Sequence, residues 1–283
     1  MITNFLSLIY RSTLEHPSAW LGGCSIFLMT ICLGRKFVMK FDVQVDILRQ
    51  MIEESHNIVA ITGAGISVPS GIPDFRSAKG LYRLKSGGEK PGEYMLSHTC
   101  FVRDREDFFK YYKKAIIHRE AKPNIAHEFL ADLETKGKLK AIITQNIDGL
   151  HQMAGSQNAI EFHGSIHRNY CTNCNKFYSL DYVADSDGVP KCTRCGGVVK
   201  PDVVLYEEGI RDENIENSLR AINEADMLIV IGTSLVVYPA AGLINYYHGD
   251  KLVLINKSNT GYDEQANLVI NGDIIDVVQE LTK

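Results

Sequence analysis

The sequence lacks an excess of positive charge, since 30 lysine and arginine residues stand against 34 aspartate and glutamate residues. Proteins that bind nucleic acid nonspecifically need a basic surface, so the formal net charge of −4 argues against a nucleic-acid partner. The sequence also shows no internal repeat and no low-complexity tract. With 283 residues, 45% of them hydrophobic, the chain can bury one large core or two unequal ones.

A disulfide framework is also lacking, although the chain has seven cysteines. Three are scattered, and the other four form a C-x₂-C-x₁₇-C-x₂-C pattern: Cys171, Cys174, Cys192 and Cys195. This spacing is typical of a four-cysteine zinc ribbon in a reducing compartment. Because four thiolates complete a tetrahedral site and leave no position for water, we expect one structural zinc ion.

The first 38 residues lack the features of a secretory signal, because no A-x-A-like cleavage site follows their apolar stretch "PSAWLGGCSIFLMTICLG". The stretch is close to the lower length limit of a membrane span. Residues 1–38 are therefore either a weak membrane anchor or the result of a misassigned start. We favour the second interpretation, with the true start at Met39, because a self-sufficient domain, residues 39–283, begins there. A cytoplasmic location follows, with membrane contact only if residues 1–38 belong to the protein.

From residue 39 onward, amphipathic helical patterns alternate with short runs rich in Ile, Val and Leu. This alternation predicts a doubly wound, Rossmann-like α/β domain with a parallel sheet covered on both faces. Two insertions, at about 77–123 and about 165–200, predict a smaller lobe formed by a helical segment and the zinc ribbon. The predicted helices are 42–55, 104–118, 124–136, 212–224, a short one near 239–247 and one from about 273. The predicted strands are 58–62, 139–144, 160–162, 227–231 and 251–255.

Polar segments follow the predicted strands directly. In open parallel sheets, ligands bind beyond the carboxyl ends of the strands, so these segments should line one crevice. They are residues 63–76, 145–151, 163–164, 232–235 and 256–258.

The first of these segments, "GAGISVPSGIPDFR", begins like a dinucleotide-binding loop and then departs from one. Gly63 and Gly65 would let backbone N–H groups approach a pyrophosphate. The third glycine of the G-x-G-x-x-G motif is replaced by Val68, and no acidic residue follows about twenty positions later to hold a ribose. Instead the loop leads into Asp-Phe-Arg at 74–76. A cation and an aromatic ring beside a pyrophosphate favour nucleotide binding.

Two further segments carry candidate chemistry. "TQNIDGLH" places Gln145, Asn146 and Asp148 directly after a strand, which suits recognition of hydroxyl and carboxamide groups, although Asn and Asp also favour ordinary turns. His163 ends a strand before a glycine, and a neutral imidazole there could accept a proton near pH 7. His127 lies within a helical pattern and is expected to be structural.

Taken together, these motifs resemble the sirtuin family of NAD-dependent protein deacylases, of the bacterial type. The resemblance covers residues 39–283 and rests on "GAGIS…GIPDFRS", "TQNIDGLH", "FHG", the two C-x-x-C pairs, "KPDVVLYEE", "GTSLVVYPAA" and "LINKS", in the family's order. It implies transfer of an acyl group from a protein lysine to ADP-ribose, with release of nicotinamide. The partners are then acyl-lysine proteins or peptides.

The resemblance also implies roles for particular residues. His163 is the general base, and Asn146 assists catalysis at the ribose and nicotinamide pocket. Phe75 screens the ribose C1′, while Asp273 and Ile274 contact adenine. The implied NAD-binding residues are Gly63, Ala64, Gly65, Asp74, Phe75, Arg76, Gln145, Asn146, Asp148, Gly232, Thr233, Ser234, Asn256, Asp273 and Ile274.

The substrate is expected to bind as an extended strand between "PDVVLYEE" and "LVVYP", with Val204 and Tyr206 beside the acyl-lysine. Sirtuins that prefer succinyl or malonyl lysine carry a Tyr-x-x-Arg pair in the helical insertion. Here Tyr112 takes the tyrosine position, but Ala115 stands where the arginine would be. An acyl carboxylate would therefore lack its bidentate partner.

Two alternative functions remain open at the level of sequence. One is mono-ADP-ribosyl transfer with the same NAD site. The other is a noncatalytic, NAD-responsive binding module that uses the zinc lobe as a platform for partners. The presence of His163 together with Asn146 and Asp148 argues against the noncatalytic alternative.

Overall fold

The computed structural model describes residues 39–75, 80–81 and 90–283. Two predictions, the apolar leader at 1–38 and the cofactor contact of Arg76, lie outside the described residues. Within the described part of the chain, every helix is too short or too polar to cross a bilayer. The fold below is that of the unit Phe41–Lys283.

The elements follow each other in the expected alternation. The strands are β1 (Ile58–Thr62), β2 (Leu139–Thr144), β3 (Ala159–Glu161), β4 (Gly164–Cys171), β5 (Phe177–Tyr178), β6 (Val199–Val203), β7 (Met227–Ile231), β8 (Leu252–Asn256) and β9 (Leu268–Asn271). The helices are α1 (Phe41–Glu54), α2 (Gly92–Met95), α3 (His98–Arg103), α4 (Arg105–Ala115), α5 (Ile125–Thr135), α6 (Leu150–Met153), α7 (Leu180–Asp185), α8 (Asp212–Glu224) and α9 (Ile274–Leu281).

Six parallel strands form the large sheet in the order β3-β2-β1-β7-β8-β9. Alternate residues of the buried strands face opposite cores: Ile58 packs with helices α1, α5 and α9, whereas Val59 packs with α8 and the 3₁₀ helix Ala240–Tyr246. Burial on both faces explains why these strands are continuous apolar runs. The chain order reverses between β1 and β7, which makes their carboxyl ends the expected binding position.

The predicted bounds of β1, β2, β7 and α8 agree with the structure. Strand β9 was not predicted, because it is a four-residue edge strand without a repeating apolar pattern. The helix predicted at 104–118 ends at Ala115, and the one predicted at 239–247 is a 3₁₀ helix.

The small lobe consists of the antiparallel sheet β5-β4-β6 together with α2, α3, α4 and α7. Its core joins residues of both predicted insertions, because Phe108 and Tyr112 of α4 belong to the same buried cluster as Val183 and Val199. Aromatic rings pack edge to face within it; the Phe108 and Phe109 centroids lie 5.1 Å apart. The predicted fold class, a doubly wound sheet with a smaller zinc-ribbon and helical lobe, is confirmed.

Candidate active site

The loop after β1 packs directly against the loop after β7. The Gly65 N–H donates to the Gly232 carbonyl oxygen at 2.8 Å, and a Cβ atom on Gly65 would lie 2.6 Å from the Gly232 Cα. A Cβ atom on Gly63 would lie 2.6 Å from the Thr233 Cβ. The glycines therefore allow the two loops to approach each other, a role that the sequence pattern did not reveal. Asn124 also supports this loop, because its side-chain amide donates to the Ile66 carbonyl oxygen at 2.9 Å.

A cavity of about 790 Å³ opens above these loops, and each of the five predicted polar segments contributes to its wall. That prediction is confirmed. The predicted site residues that line the cavity are Ala64, Gly65, Asp74, Phe75, Tyr112, Gln145, Asn146, His163, Val204, Tyr206, Gly232, Thr233, Ser234, Asn256, Asp273 and Ile274. Gly63 lies behind the wall, and Asp148 lines a second cavity of about 40 Å³ that shares Phe75 and Asn146 with the first.

Asn146 and Asp148 are joined through the hydroxyl group of Ser67. The Asn146 amide donates to the Ser67 Oγ at 2.9 Å and to the Gly63 carbonyl oxygen at 3.1 Å. Ser67 in turn donates to the Asp148 Oδ2 at 2.7 Å. Burial raises the pKa of Asp148, while donation from the Leu150 N–H and from Ser67 opposes that shift. Ser67 was not predicted, although it stands within the quoted "GAGIS" motif.

One ring nitrogen of His163 makes a hydrogen bond within the protein. Its Nδ1 lies 2.9 Å from the Gln145 carbonyl oxygen. Because a carbonyl oxygen can only accept, the neutral ring carries its proton on Nδ1 and keeps a lone pair on Nε2. Burial lowers the pKa of His163, more than the bond to Gln145 raises it, so the ring is neutral at pH 7. This is the protonation state that a general base requires.

The segment after β6 is held between His163 and the helical part of the small lobe. The Val204 N–H donates to the His163 carbonyl oxygen at 2.9 Å. Tyr206 pairs with the backbone before α3, donating from its N–H to the Leu96 carbonyl oxygen at 3.0 Å and accepting from the His98 N–H at 2.9 Å. Val204 and Tyr206 are therefore rigidly placed along one side of the cavity.

Tyr112 lines the cavity from α4 of the small lobe. Its side chain is fully buried, burial raises its pKa, and its hydroxyl group has no hydrogen-bond partner among the described residues. Ala115 follows one turn later and is buried in the same cluster. No arginine is among the described residues that line the cavity.

Another part of the cavity wall is formed by the loops after β7, β8 and β9. Asp273 caps α9 by accepting from the Ile275 N–H at 3.0 Å. Its second oxygen lies 2.7 Å from the Lys257 Nζ. Both carboxylate oxygens therefore have partners within the protein.

The four predicted zinc ligands come together in the small lobe. Their sulfur atoms all lie within 4.8 Å of one another, close to the roughly 3.8 Å expected between thiolates around one tetrahedral zinc ion. Backbone N–H groups point at two of the sulfurs, from Asn173 to Cys171 at 3.4 Å and from Arg194 to Cys192 at 3.3 Å. Such donors suit thiolates, so the cluster fits a structural zinc ion.

His127 and His151 are buried structural residues, as expected for His127. The His127 Nδ1 accepts from the Asn124 N–H at 3.3 Å, and the His151 Nε2 lies 2.9 Å from the Thr62 Oγ1. Their ring centroids are 4.9 Å apart. Burial lowers the pKa of His127 to about 4 and that of His151 to about 3.

Comparison with known proteins adds to this geometry. The chain matches the Sir2 family model over residues 63–239. An NAD-dependent protein deacetylase of Clostridium acetobutylicum is 58% identical over 237 residues, covering 83% of this chain and 97% of its own. One from Staphylococcus aureus strain N315 is 44% identical over 238 residues, covering 84% and 97%.

Solved structures give the same picture. A Sir2 variant with a deacetylated p53 peptide and 3′-O-acetyl-ADP-ribose has a TM-score of 0.78 and 37% identity, covering 84% of this chain and 97% of its own. A Sir2 complex with a p53 peptide and NAD⁺ has a TM-score of 0.74 and 37% identity, covering 86% and 98%.

Proposed function

Because the chain belongs to the Sir2 family, we propose that it is an NAD-dependent protein lysine deacetylase, which transfers the acyl group to ADP-ribose and releases nicotinamide. The observation that carries this proposal is the environment of His163. His163 lines a cavity together with Asn146, and its Nδ1 is held by the Gln145 carbonyl oxygen, which leaves Nε2 to accept a proton.

The cavity fits NAD in size and chemistry. Its volume of about 790 Å³ is within the range of small-molecule and cofactor sites. The backbone of Ala64 and Gly65 would face the pyrophosphate, and Ser234 and Asn256 would hold the adenosine half. Bound NAD supplies the ADP-ribosyl group that accepts the acyl group when nicotinamide leaves. The individual contacts are part of the proposal.

His163 would accept the proton of a ribose hydroxyl at its Nε2. As the ring gains charge, the Nδ1 proton continues to donate to the Gln145 carbonyl oxygen and so stabilises the imidazolium. The same contact fixes the tautomer and the ring orientation. The lowered pKa of His163 keeps the base unprotonated before the reaction begins.

Asn146 and Asp148 would organise the pocket for ribose and nicotinamide. Ser67 links their side chains, so the amide and the carboxylate hold a defined geometry before any ligand enters. Phe75, which borders both cavities, would cover the reacting carbon and exclude water. Positioning of this kind is the main contribution that the protein makes to the rate.

The acyl-lysine peptide would add a strand beside the segment that contains Val204 and Tyr206. Backbone pairing gives affinity with little reading of side chains, so we infer broad tolerance of peptide sequence. The zinc ion would take no part in the chemistry, because its four sulfur ligands leave no open position.

The division into a catalytic domain, residues 39–283, with insertions at about 77–123 and 165–200 is also part of the proposal. The shared buried cluster of the small lobe supports it. We further propose a cytoplasmic location, because cysteines in metal-ligand spacing persist as thiolates in a reducing compartment.

One assay tests the proposed function. The protein is incubated with NAD and an acetyl-lysine peptide, with an unacetylated peptide as control, and the products are identified by mass spectrometry. We expect deacetylated peptide, nicotinamide and O-acetyl-ADP-ribose in equal amounts. ADP-ribosylated peptide that keeps its acetyl group would indicate ADP-ribosyl transfer instead. No release of nicotinamide would indicate a noncatalytic module and contradict the proposal.

A further inference from the structure

The chain crosses from the large sheet to the small lobe at His163. Strand β3 ends at Glu161 and β4 begins at Gly164, so Phe162 and His163 form the crossing. Strand β4 then pairs with β6 irregularly. Ser165 lies opposite Asp202, but the next paired residue is Asn169, so residues 166–168 bulge out of the ladder. We call these three residues the β4 bulge.

The β4 bulge contacts the loop that carries Asn146 and Asp148. The Ile166 N–H donates to the Ile147 carbonyl oxygen at 3.0 Å. The His167 Nε2 donates to the Asp148 carbonyl oxygen at 2.9 Å. His167 comes so close to this loop that a Cβ atom on Gly149 would lie 2.7 Å from its Nε2. The bulge thus contacts the proposed site through this loop.

The third residue of the bulge, Arg168, reaches back across the crossing. Its Nη1 pairs with Glu161 at the end of β3, and its Nε donates to the Asp202 Oδ2 of β6 at 2.9 Å. The two carboxylate side chains are only 14% and 11% exposed, so solvent screens these ion pairs weakly. Among the described residues, Arg168 is the one cation paired with Glu161, whereas Asp202 also pairs with Arg211.

These contacts form a closed ring of five residues, one of which is the proposed base. Glu161 precedes His163 by two residues, and the His163 carbonyl oxygen accepts from the Val204 N–H. Val204 follows Asp202 by two residues, and Arg168 joins Asp202 to Glu161. Arg168 itself is not among the residues that line either cavity. Arg168 can therefore act on the reaction only through the residues that it holds in place.

We propose that Arg168 is a positioning residue that sets the location of His163. The inference rests on the proposed role of His163 as general base. Loss of the Arg168 guanidinium leaves Glu161 part-buried without its cation and opens the ring, so the crossing can shift. A displacement of about 1 Å at a reacting group can lower a rate on the order of 100-fold.

The test compares Arg168→Met with Arg119→Met. Arg119 also pairs with two carboxylates of the small lobe, Asp181 and Asp185, but their side chains are 73% and 68% exposed and lie away from the site. Two activities are measured on each variant: deacetylation, and exchange of labelled nicotinamide into NAD in the presence of acetyl peptide. The base acts after nicotinamide leaves, so only deacetylation depends on the placement of His163.

For Arg168→Met we expect the ratio of deacetylation to exchange to fall by about 10-fold to 100-fold. Arg119→Met should keep the parent ratio. Arg168→Lys should be intermediate, because an ammonium group lacks the fork that spans both carboxylates. If Arg168→Met does not fold, Glu161→Gln removes the same ion pair, and the same fall in the ratio is expected.

The outcomes separate this inference from the proposed function. A parent protein that makes no O-acetyl-ADP-ribose would contradict both. An active parent, together with folded Arg168 variants that keep the parent ratio or lose both activities equally, would overturn the positioning role alone. Melting temperature and zinc content, measured on every variant, identify those that are folded.

Discussion

The large sheet and the small lobe are held together by different interactions. Strands β1 and β7 are buried along their whole length, and the sheet is covered on both faces by apolar side chains. The small lobe has a three-stranded sheet, a four-cysteine cluster and an aromatic core. Apolar burial dominates the first region, whereas we expect the second to depend on a bound metal ion as well.

The two regions should therefore be sensitive to different substitutions. In the proposed function, the carboxyl ends of the large sheet hold the cofactor, and the small lobe supplies one side of the peptide cleft. His163 lies where the chain passes from one region to the other. Changes in the large sheet and changes in the small lobe should therefore affect different properties. Changes at the crossing should affect the chemical step.

The largest effect should follow loss of the metal. Cys192→Ala removes one of four ligands, and structural zinc contributes on the order of 10 kcal/mol to the folding of small domains. We expect zinc to fall from about one ion per chain to a small fraction, deacetylation to be lost, and amide protection to disappear in β4 and β6 while it persists in β1 and β7. Metal analysis and hydrogen exchange measure these properties.

The matched control is Cys100→Ala, since Cys100 is a buried cysteine of the small lobe that lies outside the metal cluster. It should keep its zinc and its protection pattern. A Cys192→Ala protein with full zinc content and parent activity would show that the small lobe does not depend on the metal.

The next largest effect should come from the crossing itself. His163→Ala should lower product formation by about 10²–10⁴-fold, because it removes the general base. Binding of NAD and peptide should stay near the parent level, and nicotinamide exchange should persist. Calorimetry and single-turnover assays measure these steps. His248→Ala, at an exposed loop position, should match the parent. Near-parent deacetylation by His163→Ala would mean that another group is the base.

Acid should weaken the large domain through its buried histidines. The folded-state pKa values of His127 and His151, about 4 and about 3, lie below the ordinary value near 6.5. Below about pH 6.5 the unfolded chain binds protons at these residues and the folded chain does not. The free energy of unfolding therefore decreases as the pH is lowered. We expect each histidine to lower the free energy of unfolding by about 2 kcal/mol between pH 7 and pH 5.

Urea unfolding at both pH values checks this expectation in the parent and in His127→Gln. The comparison concerns the pH dependence and not the absolute stability, since the substitution also alters packing. The variant should lose about 2 kcal/mol of the pH dependence. An equal pH dependence in the two proteins would show that His127 becomes protonated without unfolding.

The smallest effect concerns the acyl group. Deacetylation should exceed desuccinylation by more than about 10-fold, because a missing charge-assisted contact is worth roughly 1.5–3 kcal/mol. Rates on matched acetyl and succinyl peptides give the ratio of deacetylation to desuccinylation. Ala115→Arg should lower this ratio. Comparable rates in the parent would mean that another cation serves the acyl pocket.

Much of the fold could be predicted because its signals are local. The apolar runs at 58–62, 139–144 and 227–231 gave the bounds of three central strands, since residues buried on both faces must all be apolar. The cysteine spacing gave the metal cluster for a similar reason, because two ligands three positions apart can reach one ion. Strand β9, at an edge and only four residues long, has no comparable signal.

By itself, the sequence determined the class of fold, the zinc ligands and the segments that meet at the crevice, because residue type and spacing set burial, ligation and the ends of parallel strands. Only the tertiary structure decided how those segments hold each other. Ser67 joins Asp148 across 81 positions, and Arg168 joins Asp202 across 34. Such contacts depend on strand order and on the β4 bulge, and neither has a periodic signal, because pairing between distant segments is set by the packing of the whole domain.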